Sequence, residues 1–327
     1  MLFFNLILIG ILISVSAYSW LSMWMGLEIN LLSIIPLFKN NKNIFPAEAC
    51  LKYFITQAMA SIILLFSIIH SFNFISLSNL SMNLLNIALL TKLGAAPFHF
   101  WFPEVSEGLN WINNIILMTI QKIAPLILLM YNSMTSKLIL LSIISSSIIG
   151  SIYGLNQISL RKILAYSSIN HLAWMLTSFI ENKIIWIHYF AIYSLILINI
   201  IYIFNYFKLF YIYQLFLVNN KNKLIKLIFS LNLLSLGGLP PFIGFMPKWL
   251  TLNFLMMKKL FLISIILILF TLITLYFYCR IIFSNLTFNM NENLINFFNK
   301  KLNFYIIMFN LINLMSLMIC SSFFSFT

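Results

Sequence analysis

The chain has 327 residues, 62% of them hydrophobic and 8% charged, and its 19 Lys and Arg against six Asp and Glu give a formal charge of +13. A soluble domain carries about 25% charged residues, so composition excludes a water-soluble globule and makes a bilayer the solvent. Helices are then the default, because each satisfies its own backbone; the alternating segments of roughly ten residues that a membrane β-barrel needs are absent.

Eleven spanning segments are predicted, at 2–19, 21–38, 52–72, 80–102, 111–132, 137–155, 163–180, 184–207, 224–255, 260–283 and 303–324. The first two nearly touch, with Tyr18 and Ser19 as a tight turn. The first run lacks a basic flank and a small-residue cleavage site, so it reads as a retained helix rather than a signal peptide. Segments four and nine are interrupted by Gly and Pro.

Loop charge tests this order. After even-numbered segments, or at their edges, lie twelve basic residues, from Lys39 and Lys42 through Arg161, Lys162 and Lys208 to Arg280 and Lys301. After odd-numbered segments lie four: Lys137, Lys183, Lys258 and Lys259. By the positive-inside rule the even loops and the N-terminus face the matrix or cytoplasm. A basic balance on a soluble protein would point to nucleic acid; here it sets topology, and no nucleic-acid partner is expected. Three lysines remain, Lys92, Lys122 and Lys248, and these belong to no loop.

An internal repeat links segments four and nine. Gly94-Ala95-Ala96-Pro97-Phe98-His99-Phe100-Trp101-Phe102-Pro103 aligns with Gly238-Leu239-Pro240-Pro241-Phe242-Ile243-Gly244-Phe245-Met246-Pro247, sharing Gly94/Gly238, Pro97/Pro241, Phe98/Phe242 and Pro103/Pro247 at one offset. The copies lie an odd number of segments apart and are expected to cross in opposite directions. Inverted repeats with broken helices in matching positions, here near 80–108 and 224–255, point to a transport site. Two unrelated Pro kinks are the alternative.

Glu28 sits in the first half of segment two, Lys92 before the first break, Lys122 midway through segment five, and Lys248 after the second break. Each would cost roughly 2.5–3.5 kcal/mol at the bilayer centre. Four together approach about 10 kcal/mol, as large as a whole domain's net stability. Lys92 and Lys248 have a bland alternative, snorkelling to headgroups, and Glu28 has another, a structural ion pair with Lys92 or Lys122. Desolvation disfavours the charged forms of Glu and Lys, whereas pairing favours them. Small changes of hydration can therefore switch such a pair, as a proton relay requires.

His99 lies in the first interruption, and His171 follows Ser167 and Ser168 on one helical face. Each can relay protons or sit hydrogen-bonded in the core. His70 and His188 lie near segment ends and read as interfacial, as do Glu104 and Glu107. Cys50, Cys279 and Cys320 show no metal or redox spacing, and no metal site is expected. Rossmann and Walker motifs are absent. Ile, Phe, Asn and Lys abound while Ala, Gly, Arg and Pro are scarce, a bias that an AT-rich genome, such as an animal mitochondrial one, would produce.

Several stretches resemble the chain 2 family of animal mitochondrial NADH–ubiquinone oxidoreductase (complex I). They are Trp24-Met25-Gly26-Leu27-Glu28, Lys92 through Trp101, Gln121-Lys122-Ile123-Ala124-Pro125, Gly154-Leu155-Asn156-Gln157, Arg161 through His171, and Leu236 through Phe242. This is one of the antiporter-like families of the complex I membrane arm, related to Mrp-type cation/proton antiporters. The resemblance implies an all-α polytopic fold, a single antiporter-like transmembrane domain over 1–327, in a form shortened to about 11 helices. It implies that Glu28 and Lys92 form a Glu–Lys pair, that Lys122 is the connecting lysine and Lys248 the terminal one, and that His99 and His171 belong to the polar axis between them. Gly94, Pro97, Pro103, Gly238, Pro240, Pro241 and Pro247 form the broken-helix elements. NADH, FMN, iron–sulfur clusters and ubiquinone would be bound by other subunits, leaving no cofactor here. Neighbouring antiporter-like subunits and phospholipids would be the partners, in the mitochondrial inner membrane, with the N-terminus in the matrix and the C-terminus in the intermembrane space. The implied function is proton translocation coupled to NADH:ubiquinone electron transfer; a free-standing or Mrp-type antiporter subunit and a structural scaffold are the alternatives.

Overall fold

The computed structural model describes residues 2–39, 44–73, 78–132, 137–181, 183–219 and 223–287. Its elements are α1 (Leu2–Ser16), α2 (Trp20–Phe38), α3 (Phe45–Asn73), α4 (Ser78–Leu93), α5 (Trp101–Gly108), α6 (Trp111–Met118) and α7 (Ile120–Tyr131). They continue with α8 (Lys137–Ile152), α9 (Leu160–Glu181), α10 (Lys183–Phe207), α11 (Ile212–Asn219), α12 (Lys223–Gly237), α13 (Phe245–Met257) and α14 (Phe261–Thr287). Among the described residues there is no strand, only an isolated bridge between Ser159 and Tyr211. The protein is an all-α, multi-pass membrane protein. Among the described residues five helices are long and apolar enough to cross a bilayer, and shorter apolar helices accompany them.

Ten of the expected segments are helical, and the eleventh, 303–324, lies outside the described residues with Cys320, Lys300 and Lys301. Ser19 caps α2 by accepting from the Ser22 N–H, which explains the abrupt turn after α1. Two details depart from the sequence reading. Segment five is two helices meeting at Thr119, whose ψ of −74° takes it off the helical path. The linker after segment eight holds a short apolar helix, α11, too brief for a periodicity signal.

Lipid offers no hydrophobic drive between helices, so close packing must hold them. A Cβ on Gly26 would stand 2.7 Å from the Ser14 nitrogen and 2.8 Å from the Gly10 oxygen, so α1 and α2 pack backbone to backbone. Gly150 lets α8 approach α9 in the same way, 2.7 Å from the Asn170 nitrogen. Serine hydroxyls such as those of Ser142, Ser146, Ser167 and Ser168 donate to carbonyls one turn back, so they bring few unmet groups into the core. α9 is buried on all sides from Ile163 to Phe179, save the half-buried Tyr166, and it packs against α5, α7, α8, α10, α13 and α14. A helix enclosed this way serves as the axis of a bundle rather than as a lipid-facing wall.

Candidate functional site

Both interruptions turn at their glycine. Gly94 has φ +69° and Gly238 φ +80°, a conformation that costs any residue with a Cβ. After each, the chain leaves the helix, and it resumes as α5 or α13. The break frees the last carbonyls of the preceding helix, which need partners inside the membrane. At the first break the partners are neutral donors: the Trp101 indole N–H to the Thr91 carbonyl (3.0 Å) and the Gln57 amide to the Lys92 carbonyl (3.4 Å). At the second they are ionisable. The Lys248 ammonium donates to the Gly237 carbonyl (2.8 Å), and His171 faces the carbonyl of Leu236. Lys248 lies so close to Gly238 that a Cβ there would come within 2.9 Å of its Nζ.

Lys122 is among the largest fully buried side chains, 2% exposed, at the start of α7 beyond the Thr119 break. Its Nζ sits 5.1 Å from the Phe102 ring centre and 5.5 Å from that of Tyr193, and donates to the Ser168 carbonyl at 3.4 Å. Two aromatic faces and a carbonyl are what a desolvated ammonium can use in place of water. The Phe102 ring itself packs against Gly94, 3.1 Å from where a Cβ would stand, so the first break fixes one wall of the Lys122 site.

Lys248 stands over the Trp174 ring at 5.9 Å. Ser168, His171 and Trp174 follow at steps of three on α9, hence on one side of that helix. Lys122, His171 and Lys248 are therefore strung along a single face, and both lysine charges act on His171 between them. The His171 Nδ1 is 2.9 Å from the Tyr189 hydroxyl, and its ring lies 5.0 Å from that of Tyr193.

Lys92, 8% exposed, lines a cavity of about 10 Å³ together with Asn30, Tyr53, Gln57, Gln121 and Pro125. Two further hydrogen bonds cross this cluster: the Tyr53 hydroxyl to Gln121 Oε1 (3.2 Å) and Gln121 Nε2 to Asn30 Oδ1 (2.7 Å). The cluster joins the end of α4 to the residue preceding Lys122.

Glu28 departs from the close pair expected of it. No ion pair within 4.0 Å joins it to Lys92 among the described residues, although its charge acts on that lysine. The reason is helical phase. Glu28 falls on the outward stripe of α2 with the exposed Leu21, Met25, Leu32 and Pro36, whereas Leu27, Asn30 and Leu31 face the Lys92 cavity. One carboxylate oxygen of Glu28 is nonetheless shielded and has no hydrogen-bond partner. His99 is not brought to any of the lysines: its Nδ1 lies 3.2 Å from the Pro97 carbonyl, and its ring meets Phe100 and Tyr153.

The even-loop residues gather on one face. A cavity of about 660 Å³ there is lined by residues following segments two, four, six and eight, among them Glu48, Lys52, Glu104, Glu107, Arg161 and Lys162. Lys52 pairs with Glu104 and Lys162 with Glu107, both at 2.6 Å. Arg161 donates to the Leu109 carbonyl (2.9 Å) over the Phe210 ring. Lys258, from an odd loop, reaches the Ile180 carbonyl at the other ends of the helices. His188 is exposed, Cys50 is buried and Cys279 is half-buried.

Sequence reasoning did not single out Gln57, Trp101, Tyr189 or Trp174. The available signal was a polar or indole side chain inside an otherwise apolar run, but serines and asparagines recur through these helices and dilute it.

A family model described as NADH:quinone oxidoreductase/Mrp antiporter, TM, matches residues 17–274. A curated relative, NADH-ubiquinone oxidoreductase chain 2 of Anopheles gambiae, is 51% identical over 98% of this chain and 96% of its own length. Among solved structures, a chain of respiratory complex I from Thermus thermophilus matches with a TM-score of 0.83 at 23% identity, covering 93% of this chain and 74% of that one. A chain of the Mrp complex from a Dietzia species matches with 0.73 at 14%, covering 84% and 58%. At those identities the structural likeness speaks for the fold alone.

Proposed function

Because the chain belongs to the chain 2 family of NADH–ubiquinone oxidoreductase, we propose that Glu28, Lys92, Lys122, His171 and Lys248 carry the proton-coupled charge movement of this membrane-arm subunit of respiratory complex I. The observation that supports this most is the row Lys122–His171–Lys248 along α9. Three ionisable groups, each buried, share one helix face in a protein whose other charges lie mainly near the ends of the helices.

The physics of the row is electrostatic. Two ammonium charges in a low-dielectric interior repel far more strongly than in water. A proton arriving at Lys122 therefore drives one away from Lys248, with His171 between them able to accept on one ring nitrogen and donate from the other. The carbonyls of Leu236 and Gly237 hold His171 and Lys248 in place because the Gly238 turn frees them. At the other end, Glu28 and Lys92 interact through space, and the Asn30–Gln121 cluster leads from Lys92 to α7. Proton movement then runs laterally, from α2 toward α13.

The subunit lies in the mitochondrial inner membrane with its even-loop face, where Lys52, Arg161 and Lys162 collect, toward the matrix. Neighbouring antiporter-like subunits and phospholipids cover its apolar flanks, and the other subunits hold NADH, FMN, the iron–sulfur clusters and ubiquinone. The test is Lys122→Met in the intact complex, sealed in vesicles. Protons moved per NADH oxidised should fall while the complex still assembles. An unchanged ratio would leave the chain a scaffold, and cation/proton exchange by the isolated chain would favour a free-standing antiporter.

A further inference from the structure

We propose that Tyr189 is a positioning residue for His171. Its hydroxyl donates to Nδ1 and thereby keeps the imidazole proton on Nε2, turned to the broken end of α12. This inference rests on the lateral relay proposed above.

The geometry fixes the roles. Among the described residues His171 has the Tyr189 hydroxyl 2.9 Å from Nδ1, and Leu236, at the broken end of α12, lines the same small cavity as the ring. A phenol O–H is a better donor than acceptor and a neutral imidazole nitrogen accepts well, so the 2.9 Å contact is read with Tyr189 donating and the ring proton on Nε2. Nδ1 is then an acceptor, and Tyr189 is the donor. The titratable groups around this ring are Lys122 from α7, Lys248 from α13, and Tyr189 and Tyr193 from α10. Of these, Tyr189 is the one hydrogen-bonded to the ring among the described residues.

Two further facts support the assignment. Tyr189 is 1% exposed on α10, in a chain that uses 33 Phe against 14 Tyr, so a phenyl ring would have filled the space without a hydroxyl to satisfy. A cavity of about 10 Å³ adjoins the ring, bounded by Ser235, Gly244 and Pro247. The ring therefore borders a small gap that it shares with Leu236, and the Tyr189 hydroxyl fixes its orientation beside that gap. With the ring held, the proton that leaves His171 departs from the nitrogen at the α12 break, where Lys248 is anchored to Gly237. With the ring free, either nitrogen can face either way and the direction is lost.

The experiment is a double-mutant cycle in the intact complex sealed in vesicles: Tyr189→Phe, His171→Leu and both together, with protons moved per NADH and the pH profile of pumping recorded. Tyr189→Phe removes one oxygen and keeps the ring, so assembly should hold. The proton-pumping rate should fall about fivefold, the factor carried by one ordinary hydrogen bond, and its pH profile should move. In the His171→Leu background the same change should cost nothing further. An equal loss in both backgrounds would make Tyr189 a packing residue and overturn the proposal. Normal pumping by Tyr189→Phe beside impaired His171→Leu would overturn the positioning role alone. Normal pumping by His171→Leu would remove the relay through that histidine, and Tyr189's role with it.

Discussion

Gly238→Ala puts the second break to a quantitative test. Gly238 has φ +80°, and an L-residue held in the left-handed region costs about 1–2 kcal/mol. The added Cβ would stand 2.9 Å from Lys248 Nζ and 3.0 Å from its Cδ, whereas ordinary contact begins at 3.4 Å. The ammonium must retreat by about half an ångström, stretching its 2.8 Å hydrogen bond to Gly237 beyond good geometry. A hydrogen bond to a charged group contributes about 1.5–3 kcal/mol, and part of that is lost. The combined effect should be about 2–4 kcal/mol, spread over the break and the lysine it holds. In sealed vesicles the variant complex should oxidise NADH but pump fewer protons per turnover, and its thermal melting should drop by several degrees. If the variant melts and pumps as the parent does, the Gly238 turn does not position Lys248 and the reasoning fails.

Other perturbations follow from single contacts. Trp101→Phe strips one of two donors from the Thr91 carbonyl at the first break, leaving the Gly94 N–H, and should destabilise the subunit by about 1 kcal/mol, read as a lower melting temperature of the complex. Gly26→Leu cannot be accommodated against the Gly10 oxygen and Ser14 nitrogen; α1 should detach from α2 and the assembled subunit should be lost from native gels. Glu104→Gln breaks an exposed pair with Lys52 and should change neither melting nor pumping, which distinguishes surface carboxylates from those inside the bilayer.

Much of the architecture was legible in the sequence because the bilayer imposes a length and a polarity on each segment. Lys92, Lys122 and Lys248 stood out because they belonged to no loop, and the two interruptions because Gly94 and Gly238 began the same motif. The break at Thr119 and the helix Ile212–Asn219 were not legible, since neither interrupts nor extends an apolar run long enough to register. Glu28 is the instructive case. Its placement in segment two was read from the sequence, but its direction was not, and the expected contact with Lys92 is an interaction at a distance because Glu28 leaves α2 on a different side from the Leu27, Asn30 and Leu31 that face Lys92.

The sequence by itself determined that this chain lives in a membrane, how its helices are ordered, and which charges are out of place. Those follow from residue-by-residue transfer energies, which need no partner. Only the tertiary structure decided who meets whom: Lys122 between Phe102 and Tyr193, His171 on Tyr189, and Lys248 on Gly237. These contacts join residues far apart in the chain, and they depend on helix phase and on the carbonyls that two glycine turns set free, which one-dimensional hydropathy does not encode.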